Sequence, residues 1–121
     1  MPEVLYQLRV LQVGKYVSEF LAENKLILFA APVPADIADY SVVHQPGELT
    51  GELMPGQTLT INQLSYRVSA VGDVASLNLR QLGHITLNFN GAEQAELPGM
   101  VHLAGERPGG IAAGDIFVFE R

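Results

Sequence analysis

Apolar and polar positions alternate from the start of the chain. Val4, Tyr6, Leu8 and Val10 are separated by mostly polar neighbours, the period of a half-buried strand. The phase slips at Val10-Leu11 and Gly14 follows, which predicts a bulge or a strand end. Over residues 16–23 the period becomes helical, with Val17, Phe20 and Leu21 on one side, enough for two turns at most. Residues 26–29 read as a short buried strand that stops at the corner A-P-V-P-A-D. Pro34 is placed to open another short helix over residues 35–40. Val42 and Val43 then lead into His44.

Beyond Pro55-Gly56 the strand signals become denser. Thr58–Ile61 and Leu64–Val71 flank Asn62-Gln63, the pattern of a hairpin with a two-residue turn. Tyr66, Val68 and Ala70 share one face of the second run. Ala75–Leu82 is the best helix in the chain, with Asp73 as its expected cap, Leu79 and Leu82 on one side, and Gly83 just past its end. Residues 84–89 return to alternation, predicting Ile85, Leu87 and Phe89 inward and His84, Thr86 and Asn88 outward. Asn90-Gly91 marks a turn. Met100–Ala104 and residues 115–120 are the last strands, separated by the loop G-E-R-P-G-G. About seven or eight short strands with turns roughly every ten residues, and one or two short helices, predict a mainly antiparallel barrel or sandwich.

A length of 121 residues predicts one domain, residues 1–121, able to bury roughly two-thirds of its unfolded surface. There is no cysteine, which removes disulfides, thiolate metal sites and cysteine nucleophiles. The N-terminal segment carries Glu3 and alternates, unlike a signal peptide. The longest apolar run, residues 26–33, is interrupted by Pro32 and far too short to cross a bilayer, so a cytoplasmic, soluble protein without membrane insertion is expected. Thirteen acidic against seven basic residues give a formal charge of −6 without any Lys/Arg cluster. Nucleic acid needs positive charge to displace its counterions, so it is not an expected ligand. An acidic surface fits a basic protein partner.

Candidate chemistry narrows to histidine. Neither G-x-G-x-x-G nor G-x-x-x-x-G-K-[ST] occurs, so no nucleotide or other cofactor is expected. His44, His84 and His102 have no H-x-x-x-H or H-E-x-x-H spacing to hold a metal, and no serine lies in a G-x-S-x-G elbow. His84 falls on the polar face of its strand. His102 lies between Val101 and Leu103 and reads equally as a packed or a functional histidine. His44 stands at a strand tip, with Pro46-Gly47 ending the extended run, a placement that predicts a rigidly held ring open to solvent. Glu48 and Glu52 flank that turn, where solvated carboxylates are also common.

Longer segments carry more information. The run V-H-Q-P-G-E-L-T-G-E-L-M-P-G, then Y-R-V-S-A-V-G-D-V-A-S-L-N-L-R-Q-L-G-H-I-T-L-N-F, then E-L-P-G-M-V-H-L-A-G closely resembles the glucitol/sorbitol-specific enzyme IIA component of the bacterial sugar phosphotransferase system. Y-Q-L-R-V-L-Q-V-G near the start and A-A-G-D-I-F-V-F at the end fit the same family, so the likeness spans nearly the whole chain in order.

The resemblance implies a small, closed, mostly β barrel. It also implies a phosphocarrier that takes a phosphoryl group from the carrier HPr onto one histidine and hands it to a cysteine of the glucitol/sorbitol IIB domain, driving sorbitol uptake. The phosphorylated histidine maps to His44. Some relatives carry a second histidine where this chain has Pro46, which leaves His44 as the sole candidate within the motif. Without cysteine the chain is not a IIB component, and without spans it is not IIC. Expected support for the phosphoryl oxygens comes from the backbone N–H groups of Gly47 and Glu48, or from His84 or His102. Glu48 is a further candidate for holding the second ring nitrogen. The alternative is a regulatory or binding module on the same barrel that has lost transfer.

Overall fold

The computed structural model describes residues 3–121. Eight strands close into a barrel: β1 (Val4–Val13), β2 (Lys25–Ala30), β3 (Val42–His44), β4 (Thr58–Ile61), β5 (Leu64–Val71), β6 (Ile85–Asn88), β7 (Met100–Ala104) and β8 (Ile116–Glu120). Their order around the barrel is β1-β3-β2-β6-β7-β5-β4-β8, and β8 returns to β1. Three short helices, α1 (Val17–Leu21), α2 (Ala35–Ala38) and α3 (Ala75–Leu82), lie in the connections, one more than expected. The closed, mainly β barrel is as anticipated.

Its pairing is mixed, not uniformly antiparallel. β2–β3 and β6–β7 are parallel, and the other pairs are antiparallel. Parallel neighbours need a crossover of about a dozen residues, and residues 31–41 and 89–99 supply it. Alternation along one strand reports which face is buried and carries no sign of its neighbour's direction.

Local signals read from the chain have clear counterparts. The phase slip in β1 is a register shift between Val10 and Gln12 opposite β3. The β4–β5 hairpin turns at Asn62, whose φ of 55° lies in the left-handed region asparagine tolerates. Its Oδ1 accepts the Ile116 N–H at 3.1 Å, tying the turn to β8. Leu28, Leu59, Leu87, Leu103, Phe117 and Phe119 fill the interior with no exposed surface. Each such side chain contributes about 1.5–3 kcal/mol, far more than helices this short gain alone.

Three local expectations fail. Asp73 does not cap α3: the capping position is Val74, and no side-chain cap bond forms. Leu82 points to solvent at 49% exposure while Leu79 is buried, because the last turn of α3 overhangs the barrel end. Asn88 is buried, not outward-facing and solvated, because the 89–99 crossover folds back over the outer face of β6 and β7. There Asn88 Nδ2 donates to Glu96 Oε1 at 3.1 Å.

Candidate functional site

His44 ends β3, between Val10 of β1 and Ala30 of β2. The chain leaving it stays beside β1: the Gln45 N–H donates to Arg9 O at 3.0 Å and the Thr50 N–H to Leu5 O at 3.0 Å. It then passes beneath α3, where the Leu53 N–H donates to Ser76 Oγ at 2.9 Å and Arg80 Nη2 to Gly51 O at 2.9 Å. The stretch from Val42 to Gly56 thus joins β1 to α3 around His44. Helix α3 ends at Gly83 with φ 62°, a left-handed C-cap. That turn brings Gly83 over the imidazole: a Cβ there would lie 2.4 Å from Ala30 Cβ and 2.9 Å from His44 Cε1. Only glycine fits.

The ring is not open to solvent, contrary to the expectation from its place at a strand tip. His44 has 0% exposure, and both nitrogens meet backbone carbonyls. Nδ1 lies 2.7 Å from Gln45 O and Nε2 lies 2.8 Å from Gly83 O. A neutral imidazole carries one N–H and can donate to only one of them. The other nitrogen then presents its lone pair to an oxygen, a contact that must open before the nitrogen can act as a nucleophile.

A cleft of about 250 Å³ lies beside the site, lined by Tyr6, Ala31, Pro32, Pro46, Arg80 and Gly83 among others but not by His44 itself. The Tyr6 ring stands edge-on to His44 with centroids 6.3 Å apart, and its hydroxyl accepts the Gly47 N–H at 3.1 Å. Burial pushes the Tyr6 phenol above its ordinary range, against a smaller lowering by the Gly47 N–H, so it keeps its proton at neutral pH.

Of the other candidates, only Gly47 lines the same cleft. The Gly47 N–H is engaged by Tyr6 and is no free donor, and a Cβ at Gly47 would come within 2.8 Å of both Tyr6 Cζ and Gln7 O. Glu48 is exposed, and neither nitrogen of His44 contacts it: the two carbonyls take the place a carboxylate was expected to fill. His84 stacks on Phe29 at 4.6 Å with Nδ1 3.1 Å from Leu28 O, so its ring serves β2 and not His44.

His102 sits near the opposite end of the barrel, opposite Asn88, which itself pairs with Lys25 at the start of β2, whereas His44 pairs with Ala30 at the end of β2. Its Nε2 accepts the Glu96 N–H at 3.1 Å, which leaves Nδ1 to donate to Asn90 Oδ1 at 2.8 Å. Burial lowers this imidazole below its ordinary range, with the Glu96 carboxylate opposing. It is a structural histidine that pins the 89–99 crossover.

Sequence reasoning missed two residues that line the cleft: Tyr6, read only as an alternating strand position, and Arg80, which lies within the expected helix and was given no role. Arg80's place three residues before the helix-ending Gly83 was the one available signal. Among the described residues no three His, Cys, Asp or Glu side chains converge as a metal site would require. No helix of the described residues is long and apolar enough to cross a membrane. A larger cavity of about 580 Å³ lies at the far end of the barrel under residues 105–111, and its lining includes none of the three histidines.

The family model described as PTS system glucitol/sorbitol-specific IIA component matches residues 5–118. PTS system glucitol/sorbitol-specific EIIA components of Shigella flexneri and Escherichia coli are each 44% identical over 117 residues, covering 97% of this chain and 95% of theirs. The chain belongs to the glucitol/sorbitol-specific IIA family. As such it is a component of the sugar phosphotransferase system. A solved PTS system IIA component from Enterococcus faecalis shares the fold of this IIA chain, with a TM-score of 0.81 at 22% identity over 95% of this chain and 99% of that one.

Proposed function

We propose that this IIA component is a cytoplasmic phosphocarrier in which His44 accepts a phosphoryl group from phospho-HPr and passes it to the cysteine of a glucitol/sorbitol IIB domain, serving sorbitol uptake. The observation that carries this reading is the setting of His44 itself, a strand-end imidazole with Nδ1 on the Gln45 carbonyl and Nε2 on the carbonyl of Gly83, a residue that lines the adjacent cleft. The Gln45 carbonyl is the local partner, and an N–H held on Nδ1 leaves Nε2 as the nucleophile on the cleft side.

In the first step the Nε2 lone pair forms a P–N bond while the P–N bond of the donor phosphohistidine breaks and its electron pair returns to the donor ring. In the second, a thiolate attacks phosphorus and the His44 P–N bond breaks toward Nε2. Such transfers depend on alignment and on stabilised equatorial oxygens more than on covalent assistance. Before the first step the Gly83 carbonyl must leave Nε2. With the N–H on Nδ1, the Nε2 lone pair facing that carbonyl makes no hydrogen bond, so moving the carbonyl aside breaks none at the ring.

The buried ring also favours a second reading, the same barrel kept as a regulatory or binding module without transfer. One experiment separates the two. Incubation with phosphoenolpyruvate, enzyme I and HPr is expected to place one acid-labile, base-stable phosphate on the wild-type chain and none on His44→Gln. Added IIB domain should then discharge it. Undiminished labelling of His44→Gln refutes the assignment, and a wild-type chain that takes no label establishes the second reading.

A further inference from the structure

We propose that Arg80 is the cationic phosphoryl-binding residue of the cleft beside His44, with the Tyr6 hydroxyl as a second donor to the same oxygens. The inference rests on the phosphocarrier reading of His44 and adds the groups that receive the charge. The site needs a cation. Both ring nitrogens face carbonyl oxygens, and α3 points its C-terminal end at the imidazole, so the immediate surroundings are electronegative. A phosphoryl group brings further negative charge into a chain that already carries −6. Arg80 is the only basic side chain among the described residues lining the cleft.

Arg80 and Gly83 stand three residues apart at the end of α3, and both line the cleft. The guanidinium is held loosely. It donates to Gly51 O at 2.9 Å and meets Glu52 Oε1 at 3.4 Å, with the Arg80 and Glu52 side chains 41% and 65% exposed. An exposed ion pair of this kind contributes little, whereas a phosphoryl group offers a guanidinium two parallel charge-assisted bonds. Glu52 is the acidic group that competes for Arg80 while His44 is unmodified.

Tyr6 supplies the complementary donor. Its oxygen accepts the Gly47 N–H, which fixes the hydroxyl in place, and its own proton has no acceptor among the described residues. Tyr6 lines the cleft and its ring stands edge-on to that of His44. Neither residue acts as acid or base; both stabilise oxygens whose charge redistributes during transfer.

The test uses the full chain labelled by phospho-HPr. Phosphorus NMR of the phosphoprotein reads the titration of the phosphoryl group directly. In Arg80→Gln its midpoint is expected to rise by about one pH unit, because a neighbouring cation favours the more charged form. The labelling rate should fall about a hundredfold, while labelling still completes on long incubation. Arg80→Lys should keep most of the shift in midpoint but recover only part of the rate, since a point charge lacks the planar fork. Tyr6→Phe should slow labelling by about tenfold without moving the midpoint by more than a few tenths of a unit. A purely structural role for Arg80 predicts an unmoved midpoint. If wild-type protein labels on His44 and Arg80→Gln titrates like it, the Arg80 assignment is overturned and the phosphocarrier reading stands. If wild-type protein takes no label on His44, both fall.

Discussion

The carbonyl oxygen of Gly83 lies 2.8 Å from Nε2 of His44, so the residue that ends α3 also covers the imidazole. The end of a helix and the accessibility of a ring are thereby one event. Whatever lifts the α3 C-terminal turn frees Nε2, and whatever rigidifies that turn keeps it closed.

Gly83→Ala tests this coupling. Alanine at φ 62° costs about 1–2 kcal/mol, and a Cβ placed 2.4 Å from Ala30 Cβ adds about 1–3 kcal/mol of crowding. A total loss of about 2–5 kcal/mol of unfolding free energy is expected, read from denaturant unfolding. Labelling by phospho-HPr should change as well, even in conditions where the variant is fully folded. An unchanged labelling rate in folded Gly83→Ala would separate the helix end from the site.

The His102 clasp makes stability depend on pH. Burial lowers its folded-state pKa, so as pH falls through the ordinary histidine value of about 6.5 the unfolded chain takes up the proton first. Stability contributed by the neutral ring is complete above about pH 6.5 and is lost as pH falls toward the lowered folded value. A proton on Nε2 also removes the acceptor for the Glu96 N–H. The thermal midpoint should therefore drop on acidification from about pH 7 to pH 5, with a shallower drop in His102→Gln. Parallel curves for the two proteins would count against the clasp.

At the other end of the barrel the Tyr66 hydroxyl donates to Glu106 O at 2.8 Å and ties down the loop over the larger cavity. Tyr66→Phe is expected to cost about 1 kcal/mol and to speed amide exchange in residues 105–110 while the barrel strands stay protected. Exchange that rises everywhere alike would mean the bond supports the whole barrel and not the loop.

Phe117 and Phe119 on β8 have no exposed surface. Phe117→Ala should cost about 3–5 kcal/mol, measured by urea unfolding, because the closed barrel cannot collapse onto the space left behind. A loss below about 1 kcal/mol would show an interior able to repack.

Strand positions were legible because alternation is a local consequence of burying one face, and β4, β5, α3 and β7 run over the residues that the pattern marks. Capping was legible at Gly83, where a left-handed turn needs glycine, but not at Asp73, where the chain enters the helix one residue later. His44 could be picked out from its motif, since a strand tip beside Pro46-Gly47 and the family likeness both lie in contiguous residues.

What the sequence by itself determined is the family and the mainly β character, and it singled out His44 as the candidate histidine, since each is written in contiguous residues. Tertiary structure alone decided the parallel pairs, the burial of His44 and the meeting of Tyr6, Arg80 and Gly83 along one cleft beside it. Those depend on which segments the barrel closure brings together across dozens of residues, and no periodicity along one strand encodes its neighbour on the next.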